Sequence, residues 1–284
     1  MYQLSRIHFF NNMSGDVGCE HFKRILDSQT TKGKLTDMRF SGTRASSNGS
    51  VHIVDGLTAG LPLFAESLLH LDLNDNTFST AGPALAAAFT NGLGKNLVTL
   101  NLGECSMGDD TVKTICRALA KTSAHQLTKL ELGGNELTAQ SMRALSSLLS
   151  KSPLLTALGL SENELSSSSI IELTPGLKTL TKLTKLGLDC TELGDRGGTA
   201  LALLQPALSS LATLECDGNM FTVGVHMKLG AAFGDTLIEL EDNDFDGKDD
   251  DDEENDDEID DSDDGEDAAP DACVDELSAA IGNL

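Results

Sequence analysis

The chain has 284 residues, of which 45 are acidic and 20 are basic, so its formal net charge at pH 7 is −25. Residues 241–284 hold 22 acids and a single Lys, while residues 1–240 carry a net charge of only −4. No basic stripe is present, and this composition argues against direct nucleic-acid binding. The sequence also shows no signal peptide and no membrane span.

One leucine pattern, L-x-x-L-x-L-x-x-N or C, returns roughly every 28 residues along the chain. Its first leucine stands at positions 4, 35, 68, 97, 127, 155, 183, 211 and 237. This is the signature of a leucine-rich repeat, in which each unit contributes one strand and one helix. The pattern predicts an α/β solenoid of eight to nine repeats over residues 1–240, of the ribonuclease-inhibitor-like class because each repeat has room for a full helix.

The first repeat, LSRIHFFNN, begins after only three residues, and no capping repeat precedes it. We expect this end of the solenoid to expose apolar side chains and an unpaired strand edge. From this we expect the chain to be the C-terminal part of a longer solenoid.

Two helices are predicted from residues 108–122 and 138–152, where apolar residues recur at helical spacing and Thr138 stands at an N-cap position. The apolar positions are Val112, Ile115, Cys116 and Leu119 in the first, and Met142, Leu145, Leu148 and Leu149 in the second. The helix after Leu155 is predicted to be weaker. Its Ser166–Ser169 run favours a helix poorly, and Pro175 is expected to end or kink it.

The repeated leucines are interpreted as the buried face of the stacked strands. The Asn or Cys that closes each repeat is interpreted as structural, because an Asn side chain can bond backbone groups where a strand turns outward. Thr43 and Thr191 take this place in weaker copies. Beyond the repeats, residues 241–270 are predicted to be a disordered acidic tail. Residues 271–284 are predicted to form a short amphipathic helix, with Val274, Leu277 and Ile281 on one face.

No pattern in the sequence indicates an active site, a metal or another cofactor. The six His residues lack metal-ligand spacing, and the DNDFDG segment at 242–247 lacks the Glu that a calcium loop requires. The six Cys residues show no paired spacing, which indicates a reducing compartment, either the cytoplasm or the nucleus. Cys105, Cys190 and Cys216 fall in or beside predicted strands and are interpreted as small apolar fillers.

Acidic residues recur on the predicted strands and in the loops that follow them, and we interpret these positions as a docking surface for a basic protein. Arg44 is the one basic candidate, in the strand-to-helix loop of FSGTR. The residues predicted to contact a partner are Arg44, Asp72, Asp75, Asn76, Glu104, Glu131, Glu162, Asn163 and Glu164. A solvated acidic surface without a partner remains the alternative interpretation.

Several segments, in order along the chain, resemble the Ran GTPase-activating proteins, especially their plant-type members. They are FFNNMSGDVG (9–18), FSGTRASSNGSV (40–51), LDLNDNTFSTAG (71–82), LSENEL (160–165) and LEDNDFDG followed by acids (240–254). The resemblance covers almost the whole chain, including the acidic tail and the closing short helix.

The resemblance implies a GTPase activator that binds Ran in its GTP form during nucleocytoplasmic transport, with a Ran-binding protein as a further partner. It implies action without an arginine finger and without an active site of the chain's own, through the loop ridge and concave face of a monomeric solenoid. It places the protein in the cytoplasm, the nucleus or at the nuclear envelope. The family's critical Arg and Asn lie in earlier repeats and have no counterpart assigned in this chain, so we expect little stimulation by it alone.

Two other classes of binding protein are considered. One is a leucine-rich repeat scaffold that binds another basic partner. The other is a histone-binding acidic leucine-rich nuclear protein, which the long repeat disfavours because those proteins use repeats of about 22–25 residues.

Overall fold

The computed structural model describes residues 4–29, 34–121, 126–238 and 240. It divides into two compact units, Met1–Asn135 and Glu136–Leu284. Both units consist of parallel strands joined by helices, so the predicted α/β leucine-rich repeat fold is confirmed. The predicted acidic tail (241–270) and terminal helix (271–284) lie outside the described residues.

In the first unit, five strands pair in sequence order, each parallel to the next. Its elements are β1 (Arg6–Phe10), α1 (Gly15–Gln29), β2 (Asp37–Ser41), α2 (Ser47–Ala59), α3 (Leu61–Ser67), β3 (His70–Asp72), α4 (Gly82–Thr90), β4 (Thr99–Asn101), α5 (Gly108–Lys121) and β5 (Lys129–Glu131).

In the second unit, three strands likewise pair in sequence order and parallel. Its elements are a 3₁₀ turn (Ala139–Ser141), α6 (Met142–Ser150), β6 (Ala157–Gly159), α7 (Ser167–Leu177), β7 (Lys185–Gly187), α8 (Asp195–Leu204), β8 (Thr213–Glu215), α9 (Val223–Phe233) and a 3₁₀ turn (Gly234–Thr236).

The spacing of the leucines locates the strands. Each of the eight strands begins two residues after the first leucine of its repeat, so these repeats are confirmed. The ninth leucine, Leu237, forms only an isolated parallel bridge with Leu214. The repeat period therefore predicts the strand positions to the residue.

The core of the first unit contains one apolar side chain from the centre of each of its later strands. Met38, Leu71, Leu100 and Leu130 lie in register, and each is buried. Burying such a side chain stabilises the fold by about 1.5–3 kcal/mol. At the first strands an aromatic cluster continues this core, with the Phe40 ring centroid 4.4 Å from that of Phe22 and 5.6 Å from that of Phe9.

The first repeat exposes apolar side chains, as the sequence predicts. Met13 and Val17 are 65% and 66% exposed, and Phe9 and Phe10 are also exposed. Among the described residues, β1 pairs only with β2. The guanidinium of Arg39 lies 4.6 Å above the centre of the Phe10 ring and covers part of it.

From Asn76 onward the closing residues donate to backbone carbonyls, which confirms their structural interpretation. The Asn76 amide nitrogen donates to the carbonyl oxygens of Phe40 (2.9 Å) and Leu73 (3.0 Å). Its amide oxygen accepts the Thr43 hydroxyl at 2.6 Å and the Ala45 N–H at 3.4 Å. Each such Asn therefore joins its own strand end to the preceding repeat.

The same arrangement recurs in the second unit. The Asn219 amide nitrogen donates to the Leu188 and Cys216 carbonyls, both at 2.9 Å. Its oxygen accepts the N–H and hydroxyl of Thr191. We call the buried closing residues the ladder residues; they are Thr43, Asn76, Cys105 and Asn135 in the first unit, and Asn163, Thr191 and Asn219 in the second.

The two helices predicted in detail are present. The four apolar residues predicted on the inner face of each are buried. The segment that begins at 139 opens with a 3₁₀ turn before α6, and the Thr138 hydroxyl accepts the Gln140 N–H at 3.2 Å. The predicted N-cap is therefore confirmed.

The prediction that α7 ends at Pro175 is wrong, because the helix runs from Ser167 to Leu177. Its small side chains allow close packing: the Ser167 hydroxyl accepts the Gly197 N–H from α8 at 2.7 Å, and the Gly176 N–H donates to the Ser146 hydroxyl of α6 at 3.0 Å. Such tertiary packing offsets a poor helix propensity. Pro175 removes one N–H from the helix, and only two residues of the helix follow it.

The three cysteines in or beside the strands differ in burial according to their position relative to the ladder residues. Cys105 and Cys216 are buried, as predicted, and burial raises the pKa of the Cys216 thiol to about 12 and that of Cys105 as well. The prediction for Cys190 is wrong, since this residue is exposed. It directly precedes the ladder residue Thr191 and has a φ of 53°, which carries its side chain outward.

A carboxylate at the start of one helix holds the N-cap residue of a later helix. In the first unit Asp16 accepts both the Ser46 N–H (2.9 Å) and the Ser46 hydroxyl (2.7 Å). Ser46 in turn accepts backbone N–H groups at the start of α2. In the second unit Asp195 accepts the N–H and hydroxyl of Thr222, the N-cap residue of α9, at 2.8 and 2.7 Å.

Replacement of a ladder residue should destabilise the protein far more than its size suggests. Asn76→Ala leaves the buried carbonyls of Phe40 and Leu73 without this donor, so we expect the free energy of unfolding to fall by about 3 kcal/mol. Urea unfolding followed by circular dichroism measures this. Asn48→Ala, at an exposed position on α2, is the control, and an equal loss in both variants would contradict the role of the ladder.

The Asp16 carboxylate should make stability depend on pH. Hydrogen bonds from the Ser46 side chain and backbone hold the pKa of Asp16 below its usual 3.8. A lowered pKa stabilises the fold above the unfolded-state value, and this contribution is lost as the pH falls through the folded-state value. We therefore expect Asp16→Asn to lower the free energy of unfolding near pH 7.

That loss should shrink as the pH falls below 3.8. Urea unfolding at several pH values measures it, with Asp55→Asn on the exposed side of α2 as the control. A loss of the same size at every pH would show that the Asp16 charge has no part in stability.

Thiol labelling should separate Cys190 from the buried cysteines. Because the thiolate is the reactive form, we expect iodoacetamide to modify Cys190 more than about a hundredfold faster than Cys216 in the folded protein. Peptide mass spectrometry measures both rates, and labelling in urea, where the rates should converge, is the control. Similar rates in the folded chain would contradict the placement of Cys190.

Candidate partner-binding surface

The loops that follow the strands share one backbone conformation. We call them the strand-exit loops, meaning the residues between each strand and the next helix. In every repeat with a strand, the residue before the closing position has a φ between 50° and 67°. These residues are Asn11, Gly42, Asp75, Glu104 and Gly134 in the first unit, and Glu162, Cys190 and Gly218 in the second.

Backbone hydrogen bonds hold these residues in place. The Asp75 N–H donates to the Gly103 carbonyl at 3.0 Å, and the Glu104 N–H donates to the Gly133 carbonyl at 2.7 Å. In the second unit the Glu162 N–H donates to the Asp189 carbonyl at 2.8 Å. The carboxylates are therefore presented from a fixed backbone rather than from freely moving loops.

The acids of the first unit fall into two groups with different electrostatics. On the strands, half-buried Asp72 lies 2.9 Å from Arg39 Nε, and half-buried Glu131 lies 3.8 Å from Lys129 Nζ. In the strand-exit loops, Asp75 and Glu104 are exposed, and neither forms an ion pair among the described residues. The uncompensated negative charge thus lies in the loops, while the strand acids are paired.

Arg44 is a basic residue among the acidic residues of the strand-exit loops. It directly follows the ladder residue Thr43, is exposed, and has a φ of 54°. Ser106 occupies the equivalent position two repeats later, directly after the ladder residue Cys105, and also has a positive φ. Within the part of the chain that the structure describes, Arg44 forms no ion pair. It therefore presents an uncompensated positive charge at the edge where Asp75 and Glu104 present negative ones.

In the second unit, Glu162 and Glu164 are exposed on either side of Asn163. Asn163 itself is 4% exposed, and its amide nitrogen donates to the Leu160 carbonyl at 2.8 Å. Asn76 is buried to the same degree in the first unit. Both asparagines were predicted to contact a partner, and both use their amides within the chain, so the exposed carboxylates beside them are the groups left for a partner.

A second acidic group in this unit is partly buried. Burial is the main cause that raises the pKa of Asp189, and the carboxylates of Glu215 and Asp217 add to it. The Asp217 N–H, 2.9 Å from Asp189 Oδ1, and the charge of Lys185 oppose this rise. Lys185 Nζ also lies 2.7 Å from Glu215 Oε1, so one of the three carboxylates is paired like the strand acids of the first unit.

Two features of this surface were not predicted from the sequence. The positive φ of Glu104 and Glu162 is visible only by analogy with the glycines that fill the same place in other repeats, such as Gly134. The pairing of the strand acids has a clearer signal in the sequence. Lys129 and Glu131 are two residues apart on one strand, so their side chains point to the same face. The structure thereby separates the predicted acidic positions into compensated and uncompensated ones.

Among the described residues, no group of three or more His, Cys, Asp or Glu could hold a metal ion. No helix in the same part of the chain is both long and apolar enough to cross a membrane.

A family model described as a leucine-rich repeat matches residues 179–202, which include β7 and most of α8. No curated protein matches the chain. Similar solved structures include actin-binding site 2 of leiomodin-1, with 16% identity and a TM-score of 0.43 over 53% of this chain and 86% of that one. The tropomodulin C-terminal domain of Caenorhabditis elegans shows 14% identity and a TM-score of 0.44 over 53% and 92%. Likeness at this level supports no conclusion about function.

Proposed function

We propose that this chain is a GTPase-activating protein for a Ran-like small GTPase, and that it binds the GTP form through its strand-exit loops. The leucine-rich repeat fold supports a protein-binding role in general. The identity of the partner rests on the ordered motifs that resemble the Ran GTPase-activating proteins, from FFNNMSGDVG to the acidic run. We place its action in the cytoplasm, during nucleocytoplasmic transport.

The observation that carries the binding mode is the uncompensated charge of the loops. Asp75 and Glu104 in the first unit, and Glu162 and Glu164 in the second, are exposed and lack ion pairs among the described residues. Acids that are already paired within a chain gain little from a partner, whereas unpaired ones attract a basic surface over several ångströms. A basic face on the GTPase is therefore the complement that these loops fit.

The backbone of the loops supports the same proposal. A residue other than glycine in the left-handed conformation costs about 1 kcal/mol. Glu104 and Glu162 occupy that conformation, although Gly134 and Gly218 show that the fold accepts glycine at the equivalent position. Strain of this kind concentrates at functional sites, where the side chain is needed for another reason than stability.

As a regulator, the chain would act on the partner's catalytic groups and would need no active site of its own. Ordering those groups and excluding water can accelerate hydrolysis without an inserted arginine. Arg44 is exposed in the strand-exit loop that follows β2, and it forms no ion pair among the described residues. We assign it to contact with the GTPase surface rather than to catalysis.

The proposal is tested by single-turnover GTP hydrolysis by Ran, with this chain in excess and Ras as the control GTPase. We expect acceleration that is specific for Ran. Equal binding to the GTP and GDP forms, with no acceleration of Ran, would overturn the proposal. The chain would then fit the alternative, a scaffold for another basic protein, which its loop charges favour equally.

A second experiment tests the loops with a variant that should not impair folding. Glu104→Gly removes one charge and relieves the left-handed strain, so we expect an unchanged or slightly higher free energy of unfolding. At about 50 mM salt the on-rate for Ran-GTP should fall about threefold, and at about 500 mM, where charges are screened, the difference should disappear.

Asp55→Asn removes one charge from the exposed side of α2 and is the matched control for that measurement. Stopped-flow association at both salt concentrations gives the on-rates, and urea unfolding gives the stabilities. If both variants slow association equally, only the net charge matters and the strand-exit loops have no special role.

A further inference from the structure

The last described helix, α9, exposes apolar side chains on its outer face. Its inner face is apolar and buried, with Val225, Leu229 and Phe233 in the core. Its outer face is also apolar: Val223 is 62% exposed and Met227 is 71% exposed. An exposed apolar patch of this kind often marks a surface that another segment or molecule covers. This face is therefore an apolar surface in need of a covering.

The outer face of α5 has a different composition. On α5 the residues away from the core are charged or polar, and Asp110 and Lys121 are exposed. On α9 the exposed positions between Val223 and Met227 and beyond include glycine and alanine, and Lys228 is the only charged residue of the helix.

The surface is also open enough for another backbone to approach closely. A Cβ atom added at Gly230 would meet no atom within 4 Å, and one added at Gly224 would meet only the Thr222 hydroxyl oxygen, at 3.6 Å. The small residues beside Val223 and Met227 leave room for a second helix to approach closely, as glycines do in close helix pairs.

We propose that residues 272–284 of this same chain dock on the outer face of α9 as an amphipathic helix. In the sequence ACVDELSAAIGNL, Val274, Leu277 and Ile281 recur at helical spacing and provide one apolar stripe. An eleven-residue helix such as α9 is about 16 Å long, which matches a segment of this length. The inference goes beyond the proposed GTPase role and does not depend on it.

The connection to α9 favours this occupant over a separate molecule. The described chain reaches Leu240 shortly after α9 ends at Phe233, and residues 241–271 link it to the docking segment. A chain of about 31 residues can span on the order of 30 Å, so the segment can reach the helix. Tethering on this scale gives an effective concentration on the order of millimolar.

Charge is compatible with the same pairing. The segment carries Asp275 and Glu276 beside its apolar stripe, and α9 carries exposed Lys228. The preceding acidic run has no apolar residues to offer, apart from Phe245 and Ile259, and would remain in solvent. Docking would thus bury the two apolar stripes together and leave the acids exposed.

The test uses the methyl resonances of methionine in the full chain, compared with a chain that ends at residue 271. Met227 is assigned by its loss in Met227→Leu. We expect its methyl resonance to shift on truncation, and the α9 amides to exchange about tenfold faster if the segment is docked nine-tenths of the time. Buried methionines such as Met142 should be unaffected and serve as internal controls.

Two substitutions in the full chain refine this test. Leu277→Glu should reproduce the effect of truncation on Met227, whereas Ala279→Glu, on the opposite side of the predicted helix with the same added charge, should not. A Met227 resonance identical in the full and truncated chains would overturn the proposal. A shift that grows with protein concentration would also overturn it, because the segment would then bind a second copy.

Discussion

The structure depends on the buried side chains, most often asparagine amides, that close its repeats. Where a strand ends, the chain must turn outward, and its last carbonyls lose the partners that a longer sheet would provide. Asn76 and Asn219 supply those bonds from a buried position, and their oxygens bond the preceding repeat as well. A buried carbonyl left unpaired would cost 1–3 kcal/mol on the order-of-magnitude scale of such groups, so this position tolerates little variation.

The same constraint determines what the surface displays. Because the ladder residue must point inward, its neighbour takes a positive φ and points outward, as Asp75 and Glu104 do. The adjoining strands keep their acids paired with Arg39 and Lys129. A partner would therefore meet a row of free carboxylates on a backbone that is fixed by hydrogen bonds, which favours fast and selective electrostatic association.

Sequence and structure agree where a single regular rule decides the outcome. Leucine spacing predicts every strand start because the inward side chain is set by the two-residue period of a strand. It fails where several neighbours decide together. Helix α7 forms in spite of Pro175 and its serines, because close contact with α6 and α8 matters more than intrinsic preference. Cys190 is exposed because its place beside Thr191 decides its direction, and a residue's polarity cannot reveal that.

The contacts from Asp16 to Ser46 and from Asp195 to Thr222 have a consequence for how disorder would spread. In each case a carboxylate at the start of one helix accepts hydrogen bonds from the start of a helix in the following repeat. The folded state of one repeat therefore stabilises the next. Stability in such an array behaves as a sum over nearest neighbours. Local unfolding of the repeat that holds Asp16 would remove the cap of α2 in the next repeat. Local unfolding would then advance along the unit one repeat at a time.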